Sequence, residues 1–463
     1  MSLIISVSGL RGIVGETLTP LVAANYALAY SCETPEGPFV ITRDGRASGV
    51  MLAEHIHAAL NTAGRPTIDA GIAATPTTGI LIRSLNAAGG LQISASHNPV
   101  EYNGIKLFNA EGRVIPKSHG EKVKNRYEKM TTDNDDHLSD NNDHLSKASV
   151  VAGKHVCPDT TSAHLEAVLQ TINVAAIQSC QFRVLLDSNR GAGSILGRIL
   201  LEKLGCHVTI LGENPDGRFE HTPEPIEENL QSVMKKMNAQ NFDVGFCQDP
   251  DADRLAVIDA DGQFLGEEYT VAICVDHVLQ NRGIGPLVIN SSSSRMTQDI
   301  AEEYGATLYR SAVGEANVVD LMKEKSAIFG GEGNGGPIDP KVGFVRDSFV
   351  GMAQILETMA LRKMTVASLA DELPRYAIVK RKCSVPPSQQ ISMIPALKKY
   401  YEGVNIDVNI DLTDGFRVDG PKSWLQVRLS NTEPIARIIA EAPTEVEANK
   451  LCDEAEKVLA DIG

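Results

Sequence analysis

The feature that most restricts how this chain can fold is a repeated beat: a short apolar run, a segment of helical period, then another apolar run. FVITRD (39–44) precedes a helical stretch over 49–63, RVLLDS (183–188) precedes 194–204, and HVTILG (207–212) precedes 225–239. The beat restarts at PLVINSS (286–292), with a helix expected over 297–304 and a strand in ATLYRS (306–311). Short strands separated by helices pair in parallel, because the crossover helix returns the chain to the same edge of the sheet. At 463 residues the chain exceeds what one hydrophobic core can serve, and three α/β blocks are expected. From about residue 375 the pattern changes. YAIVKRKCSVP (376–386), SWLQVRLS (423–430) and RIIAEAP (437–443) read as strands, PALKKYYEG (395–403) as a helix, and 446–462 as a closing helix, which predicts a smaller α+β domain.

Between 131 and 147 the composition turns polar and acidic, and NDDHLS (134–139) nearly repeats as NNDHLS (141–146). This reads as an exposed connector after the first domain rather than a His/Asp metal cluster. The formal charge of −16 disfavours nucleic acid and anionic membrane as main partners, so any anion site must be a local pocket. No apolar run approaches the 18–20 or so residues that span a bilayer, and the start MSLIISVSGLRG lacks the parts of a secretory signal, so a cytoplasmic location is expected. The eight cysteines are scattered without a CxxC pair and read as buried reduced thiols.

The sharpest local signal is Asp249-Pro-Asp251-Ala-Asp253-Arg254, between the apolar runs DVGFC and RLAVID. Three carboxylates at alternate positions of one tight loop repel unless a cation offsets them, and oxygen ligands of this kind suit Mg²⁺. The loop is not an EF-hand, since Arg254 and Ala260 stand where Gly and Glu are needed. In LQISASHNP (91–99) a strand runs into a loop that presents Ser96, with His97 beside it and Asn98 held extended by Pro99. Such a loop lies at the carboxyl edge of a parallel sheet, where ligands gather. Arg428, Ser430, Asn431, Thr432 and Arg437 put two guanidiniums around a loop of polar donors, which fits a phosphate monoester. The glycine-rich turn 330–336 lacks the Lys and spacing of a P-loop, and its Glu332 and Asn334 suit sugar hydroxyls. Arg11 sits in SGLRG, and Lys106 follows Ser96 in NGIKL.

In this order these segments, with RDGRASG from Arg43, resemble the α-D-phosphohexomutase family of phosphoglucomutases, phosphomannomutases and phosphoglucosamine mutases. The resemblance spans almost the whole chain. It implies four domains around one cleft: 1–150, 151–255 and 256–372 as related mixed-sheet α/β units, and 373–463 as a smaller C-terminal α+β domain. It implies that Ser96 carries the phosphoryl group and, with Asp249, Asp251 and Asp253, makes up the Mg²⁺ site. Arg11, Lys106, His97 and Arg254 would complete the catalytic group. Gly331, Glu332 and Asn334 would read the sugar, while Arg428, Ser430, Asn431, Thr432 and Arg437 would bind its phosphate.

The reaction so implied interconverts hexose 6-phosphate and hexose 1-phosphate through a hexose 1,6-bisphosphate. Where many bacterial relatives read GExSGH, this chain has GEGNGG, so Asn334 replaces Ser and Gly336 replaces His. Gly314-Glu315 stands where some hexose-specific relatives carry Gly-His. These departures resemble phosphoglucosamine-type and broad-specificity mutases, and glucosamine is favoured, with mannose and glucose open. Two other classes compete: a Ser/Mg²⁺ phosphatase, and a non-catalytic sugar-phosphate sensor.

Overall fold

A computed structural model describes residues 3–6, 9–132, 152–404, 409–429 and 435–462. The polar connector from residue 133 onward, Ser8, and the loop residues Ser430, Asn431 and Thr432 lie outside the described residues. The first sheet has the order Ile4–Ser6, Gly9–Ile13, Tyr102–Asn109, Gly89–Ile93, Phe39–Arg43, Thr67–Ile72, Lys154–Val156. Its last four strands are parallel and the remainder antiparallel. Apolar strand residues such as Phe39, Ile41, Leu91 and Ile93 pack on Tyr26 and Tyr30 of helix Pro20–Cys32 and on Leu52, Ile56 and Leu60 of helix Ser48–Thr62. Helix Pro20–Cys32 starts where it does because Pro20 needs no N–H partner there and Thr19 accepts from the Val22 N–H.

In the second sheet Val244–Gln248 is paired in parallel with Arg183–Asp187, which pairs in parallel with His207–Leu211. On its other side Leu255–Ile258 runs antiparallel. Every residue of Val244–Gln248 is buried, as a central strand covered on both faces requires. In the third, Leu287–Asn290 lies parallel between Leu308–Ser311 and Phe329–Glu332. The C-terminal sheet is antiparallel, in the order Ala377–Ser384, Ile435–Ala442, Trp424–Leu429, Phe416–Asp419, Asn409–Asp411. Helices Pro387–Val404 and Glu445–Ala460 lie on it through Leu397, Cys452 and Leu459 against Phe416, Leu425 and Ile438. Three mixed α/β sheets and a C-terminal α+β layer are the expected fold class. The chain forms two compact units, residues 1–270 with 334–370, and residues 271–333 with 371–463.

Three expectations need correction. The helix expected over 225–239 is Gln231–Ala239, and residues 226–230 form turns instead. The helix expected from Pro395 begins at Pro387, leaving Pro395 inside it with one intrahelical hydrogen bond missing. All eight cysteines are free, but only Cys206, Cys247, Cys274 and Cys452 are buried; Cys32, the last residue of helix Pro20–Cys32, and Cys180, just beyond helix Val174–Gln178, are exposed. No helix among the described residues is long and apolar enough to cross a membrane.

Candidate active site

The first unit gathers the sharpest motifs. The loop after strand Gly89–Ile93 buries Ser96 to 3% exposure, with its backbone in the left-handed region at φ +49°. Its hydroxyl donates to Asp249 Oδ2 at 2.7 Å, and its backbone N–H donates to Ser94 Oγ at 2.9 Å. Arg46 fixes the rest of the loop. Its guanidinium donates to the carbonyls of Ser96 (2.7 Å), Asn98 (2.7 Å) and Pro99 (3.1 Å), and to Asp44 Oδ2 (3.1 Å). Asp44 also accepts from the Ser94 hydroxyl at 2.7 Å. Arg11 Nη1 donates to Asn98 Oδ1 at 2.5 Å.

The acidic loop closes between Val244–Gln248 and Leu255–Ile258, with Ala252 at φ +56° allowing the tight turn. Asp249 Oδ1 accepts the N–H groups of Asp253 and Arg254, both at 3.1 Å. Gly191 has no side chain because the loop passes over it: a Cβ there would lie 2.5 Å from the Pro250 carbonyl oxygen. Lys106 Nζ, from strand Tyr102–Asn109, donates to Asp251 Oδ2 at 2.5 Å and to Asp253 Oδ2 at 2.8 Å. Arg346 Nη2 donates to Asp253 Oδ2 at 2.7 Å, and Thr75 Oγ1 to Asp251 Oδ2 at 2.5 Å. The stem of Arg346 lies over Gly336, where a Cβ would come within 2.4 Å of Arg346 Cδ. Arg254 faces Glu224 at 3.6 Å.

Burial pushes the Asp249 carboxyl well above its usual range, and the neighbouring Asp251 and Asp253 add to the shift. Burial also acts against ionised Asp251 and Asp253, but the cations overcome it: Lys106 holds Asp251 below the usual range, and Arg346 first, then Lys106, do so for Asp253. His97 Nδ1 lies 3.4 Å from Ser96 Oγ, and burial beside Arg254 and Arg11 pulls its ring down to about 2, so it is neutral at physiological pH.

The triad suits a hard cation. One carboxylate oxygen from each of Asp249, Asp251 and Asp253 lies within 4.8 Å of the others. Asp251 Oδ1 and Asp253 Oδ1 are buried without a hydrogen-bond partner among the described residues. An orphaned buried carboxylate oxygen is costly, and a hard cation that takes oxygen ligands satisfies two of them at once.

The sugar- and phosphate-loop residues fall in both units. In the second unit Gly331 and Glu332 end strand Phe329–Glu332, so the glycine-rich turn is shorter than expected. Glu332 Oε1 accepts from Asn290 Nδ2 (2.8 Å) and the Gly314 N–H (3.0 Å). Arg428 and Arg437 are directly opposed on antiparallel strands, next to the pair Leu429 and Ala436. Burial draws Arg428 below its ordinary value; Asp414, 4.0 Å away, opposes this and Arg437 reinforces it. Asn334 belongs to the first unit, its Oδ1 buried and without a hydrogen-bond partner among the described residues.

Sequence reasoning left out Asp44, Arg46, Ser94, Thr75 and Arg346. A signal existed for two of them: a charged pair directly after an apolar strand, as in FVITRDGR, must find buried partners. Thr75 and Arg346 carry no comparable signature.

Four successive family models match the chain. They describe phosphoglucomutase/phosphomannomutase α/β/α domains I, II and III over residues 3–134, 162–262 and 267–376, and the C-terminal domain over 381–458. The chain belongs to the phosphoglucomutase/phosphomannomutase family, the α-D-phosphohexomutases, and is an enzyme of the intramolecular phosphotransferase class. A phosphoglucomutase/phosphomannomutase of Thermococcus kodakarensis is 36% identical over 461 residues, covering 97% of each chain. A probable phosphoglucosamine mutase of Pyrococcus horikoshii is 31% identical over 467 residues, covering 98% of this chain and 97% of the other. A Burkholderia thailandensis protein of the same family has the same fold, with a TM-score of 0.84 at 23% identity over 99% of this chain and 97% of the other.

Proposed function

We propose that the protein interconverts hexose 6-phosphate and hexose 1-phosphate, with Ser96 as phosphoryl carrier. The observation that carries this is the placement of the Ser96 hydroxyl, buried and 2.7 Å from Asp249 Oδ2 in a loop fixed by Arg46. In the forward step the bond from phosphorus to Ser96 Oγ breaks as a bond to a sugar hydroxyl oxygen forms. The sugar hydroxyl gives up its proton as the departing Ser96 Oγ takes one up; when the other phosphate of the 1,6-bisphosphate is returned, Ser96 Oγ gives up its proton and the sugar oxygen gains one. Asp249 Oδ2, which accepts from the Ser96 hydroxyl at 2.7 Å, fixes where that hydroxyl points. His97, neutral at physiological pH, serves to orient Ser96 rather than as a general acid.

Asp249, Asp251 and Asp253 would hold Mg²⁺, which when bound offsets the charge of the phosphoryl group. Lys106 and Arg346 balance Asp251 and Asp253, while Arg11 and Arg254 add positive charge near the serine. Two guanidiniums directly opposed on neighbouring strands repel, and a phosphate dianion relieves that repulsion. This supports Arg428 and Arg437, with Ser430, Asn431 and Thr432 between them in the chain, as the distal phosphate site. Glu332 supports sugar recognition, since its Oε1 is already fixed by two donors. Names of both mutase kinds occur among the relatives, so the proposed substrate class is hexose phosphate, with glucosamine the first sugar to try.

The test incubates protein, Mg²⁺ and catalytic hexose 1,6-bisphosphate with glucosamine, mannose or glucose 6-phosphate, followed by ³¹P NMR. A 1-phosphate signal is expected. Inorganic phosphate alone would instead make the protein a phosphatase, and no change with any sugar would leave a sensor. Ser96→Ala is expected to lower kcat by about 10⁴-fold or more, as removal of a covalent nucleophile does, while sugar-phosphate binding by calorimetry persists.

A further inference from the structure

The acidic loop is gripped from two sides by helix starts distant in the chain. On one side Thr75, first residue of helix Thr75–Ser84, donates its hydroxyl to Asp251 Oδ2 at 2.5 Å and its N–H to the Asp251 carbonyl at 2.9 Å. On the other side stands the start of helix Ser348–Arg362. Arg346 Nη2 donates to Asp253 Oδ2 at 2.7 Å, and Ser348 Oγ donates to the Ala252 carbonyl at 2.7 Å.

A single buried side chain joins the two grips. His164, from helix Ser162–Leu169, places Nδ1 2.9 Å from Thr77 Oγ1 and Nε2 2.8 Å from Asp347 Oδ2. It is 1% exposed, and its ring meets Phe349 edge-on at 5.2 Å. Asp347 Oδ1 is used as well, accepting the N–H groups of Phe349 (2.9 Å) and Val350 (3.3 Å) to cap the helix. An ionised carboxylate only accepts, so Nε2 carries a hydrogen. Both ring nitrogens are thus engaged, one toward the helix that holds Asp251 and one toward the helix that holds Asp253.

We propose that His164 is a positioning residue for the acidic loop: by tying the two helix starts together it sets the separation of Asp251 and Asp253, and with it the loop's capacity for a divalent cation. The inference rests on the metal reading of the triad given above. The physical ground is that three buried carboxylates repel one another, so their spacing is kept by what pulls on them from outside. Thr75 and Arg346 pull on Asp251 and Asp253, and the ring of His164 determines where those two stand. Groups that hydrogen-bond metal ligands, as Thr75 and Arg346 do, typically change metal affinity by about 10–100-fold when removed, and His164, one contact further out, acts through them at the lower end of that range.

The test measures Mn²⁺ binding by electron paramagnetic resonance on the full-length wild type, His164→Leu, His164→Gln and Thr77→Val, with kcat, KM and Tm of each. His164→Leu is expected to weaken Mn²⁺ binding by about 10-fold or more and to leave KM for the sugar phosphate within about twofold. His164→Gln, which keeps a donor for Asp347, is expected to recover part of the loss. Wild-type Mn²⁺ affinity in His164→Leu overturns the proposal even where its Tm falls, because His164 is then a packing residue only. Should His164→Leu fail to fold, Thr77→Val decides, since it removes one hydrogen bond and keeps the ring; unchanged affinity there overturns the proposal equally. A wild type that binds no Mn²⁺ defeats the metal reading and the inference with it, whereas binding by the wild type and all three variants alike defeats the inference alone.

Discussion

The Arg46 guanidinium gives four hydrogen bonds from a site 1% exposed, three to carbonyls of the loop that carries Ser96 and one to Asp44. Its guanidinium also lies 4.8 Å from the centre of the Phe219 ring. A planar, forked donor is needed for this, and an ammonium group could not span three carbonyls and a carboxylate. Asp44 depends on it: burial already pushes that carboxyl above its usual range, and Arg46 is the main influence that opposes the shift. Arg46→Met leaves Asp44 as a buried carboxylate without its cation, and is expected to cost about 3–5 kcal/mol in urea unfolding. Because Ser96 stands at φ +49°, a conformation kept only while its surroundings impose it, kcat should fall more than KM rises. Equal loss in Arg46→Lys and Arg46→Met would support the fork geometry; full activity in Arg46→Lys would show that charge alone suffices.

The connection between strand His207–Leu211 and helix Gln231–Ala239 has no regular structure, yet it carries Phe219, Glu224 and His221 into the first unit. His221 Nε2 lies 2.7 Å from Asp187 Oδ2, and Asn189 Oδ1 accepts the Glu220 N–H at 2.8 Å. Burial alone would lower the His221 ring, but the hydrogen bond and charge of Asp187 reverse this and raise it. A raised histidine stabilises fully below its unfolded value of about 6.5 and loses that contribution as pH climbs through the folded value. The Tm difference between wild type and His221→Ala is therefore expected to be largest near pH 6 and to shrink steadily above about 6.5, measured by calorimetry. A difference constant from pH 6 to 9 would mean that the ring acts only by packing.

This element marks where legibility ended. Alternating apolar runs identified the strands here, because burial on both faces leaves a continuous apolar signature, as in Val244–Gln248. The turns over 226–230 and the internal Pro395 were misread because the competing interactions are made on folding: Glu224 faces Arg254 while its carbonyl accepts from Asn229 Nδ2, and Leu397 and Tyr401 anchor a helix that propensity alone would start at the proline. Asp249, Asp251, Asp253 and Ser96 were legible as motifs because their chemistry is concentrated in a few neighbouring residues. Thr75, His164 and Arg346 were not, since each acts through contacts to residues distant in the chain that only folding makes.

At the scale of the whole molecule, the chain does not pack in the order in which it is written. Residues 271–333 join the C-terminal segment, while 334–370 return to the first unit, where helix Ser348–Arg362 is buried from Ser348 to Ala360. That return delivers Arg346 and Ser348 to the acidic loop, so the stability of the first unit and the charge state of its triad are linked. Asp249 is the costly member: its folded value lies well above the usual one, so its ionisation takes away stability as pH rises past the ordinary carboxylate range. A divalent cation bound only by the folded chain returns stability, about 2.7 kcal/mol at 100 times its Kd. Calorimetry with and without Mg²⁺ should therefore give a higher Tm with the ion for the wild type, reversed by chelation. Asp249→Asn keeps one oxygen for the N–H groups of Asp253 and Arg254 and removes the charge. Its Tm in chelator is expected to equal or exceed that of the wild type, with the response to Mg²⁺ strongly reduced. A lower Tm in chelator would mean that Asp249 serves the fold chiefly through its hydrogen bond with Ser96, and that the repulsion within the triad is already balanced by Lys106 and Arg346.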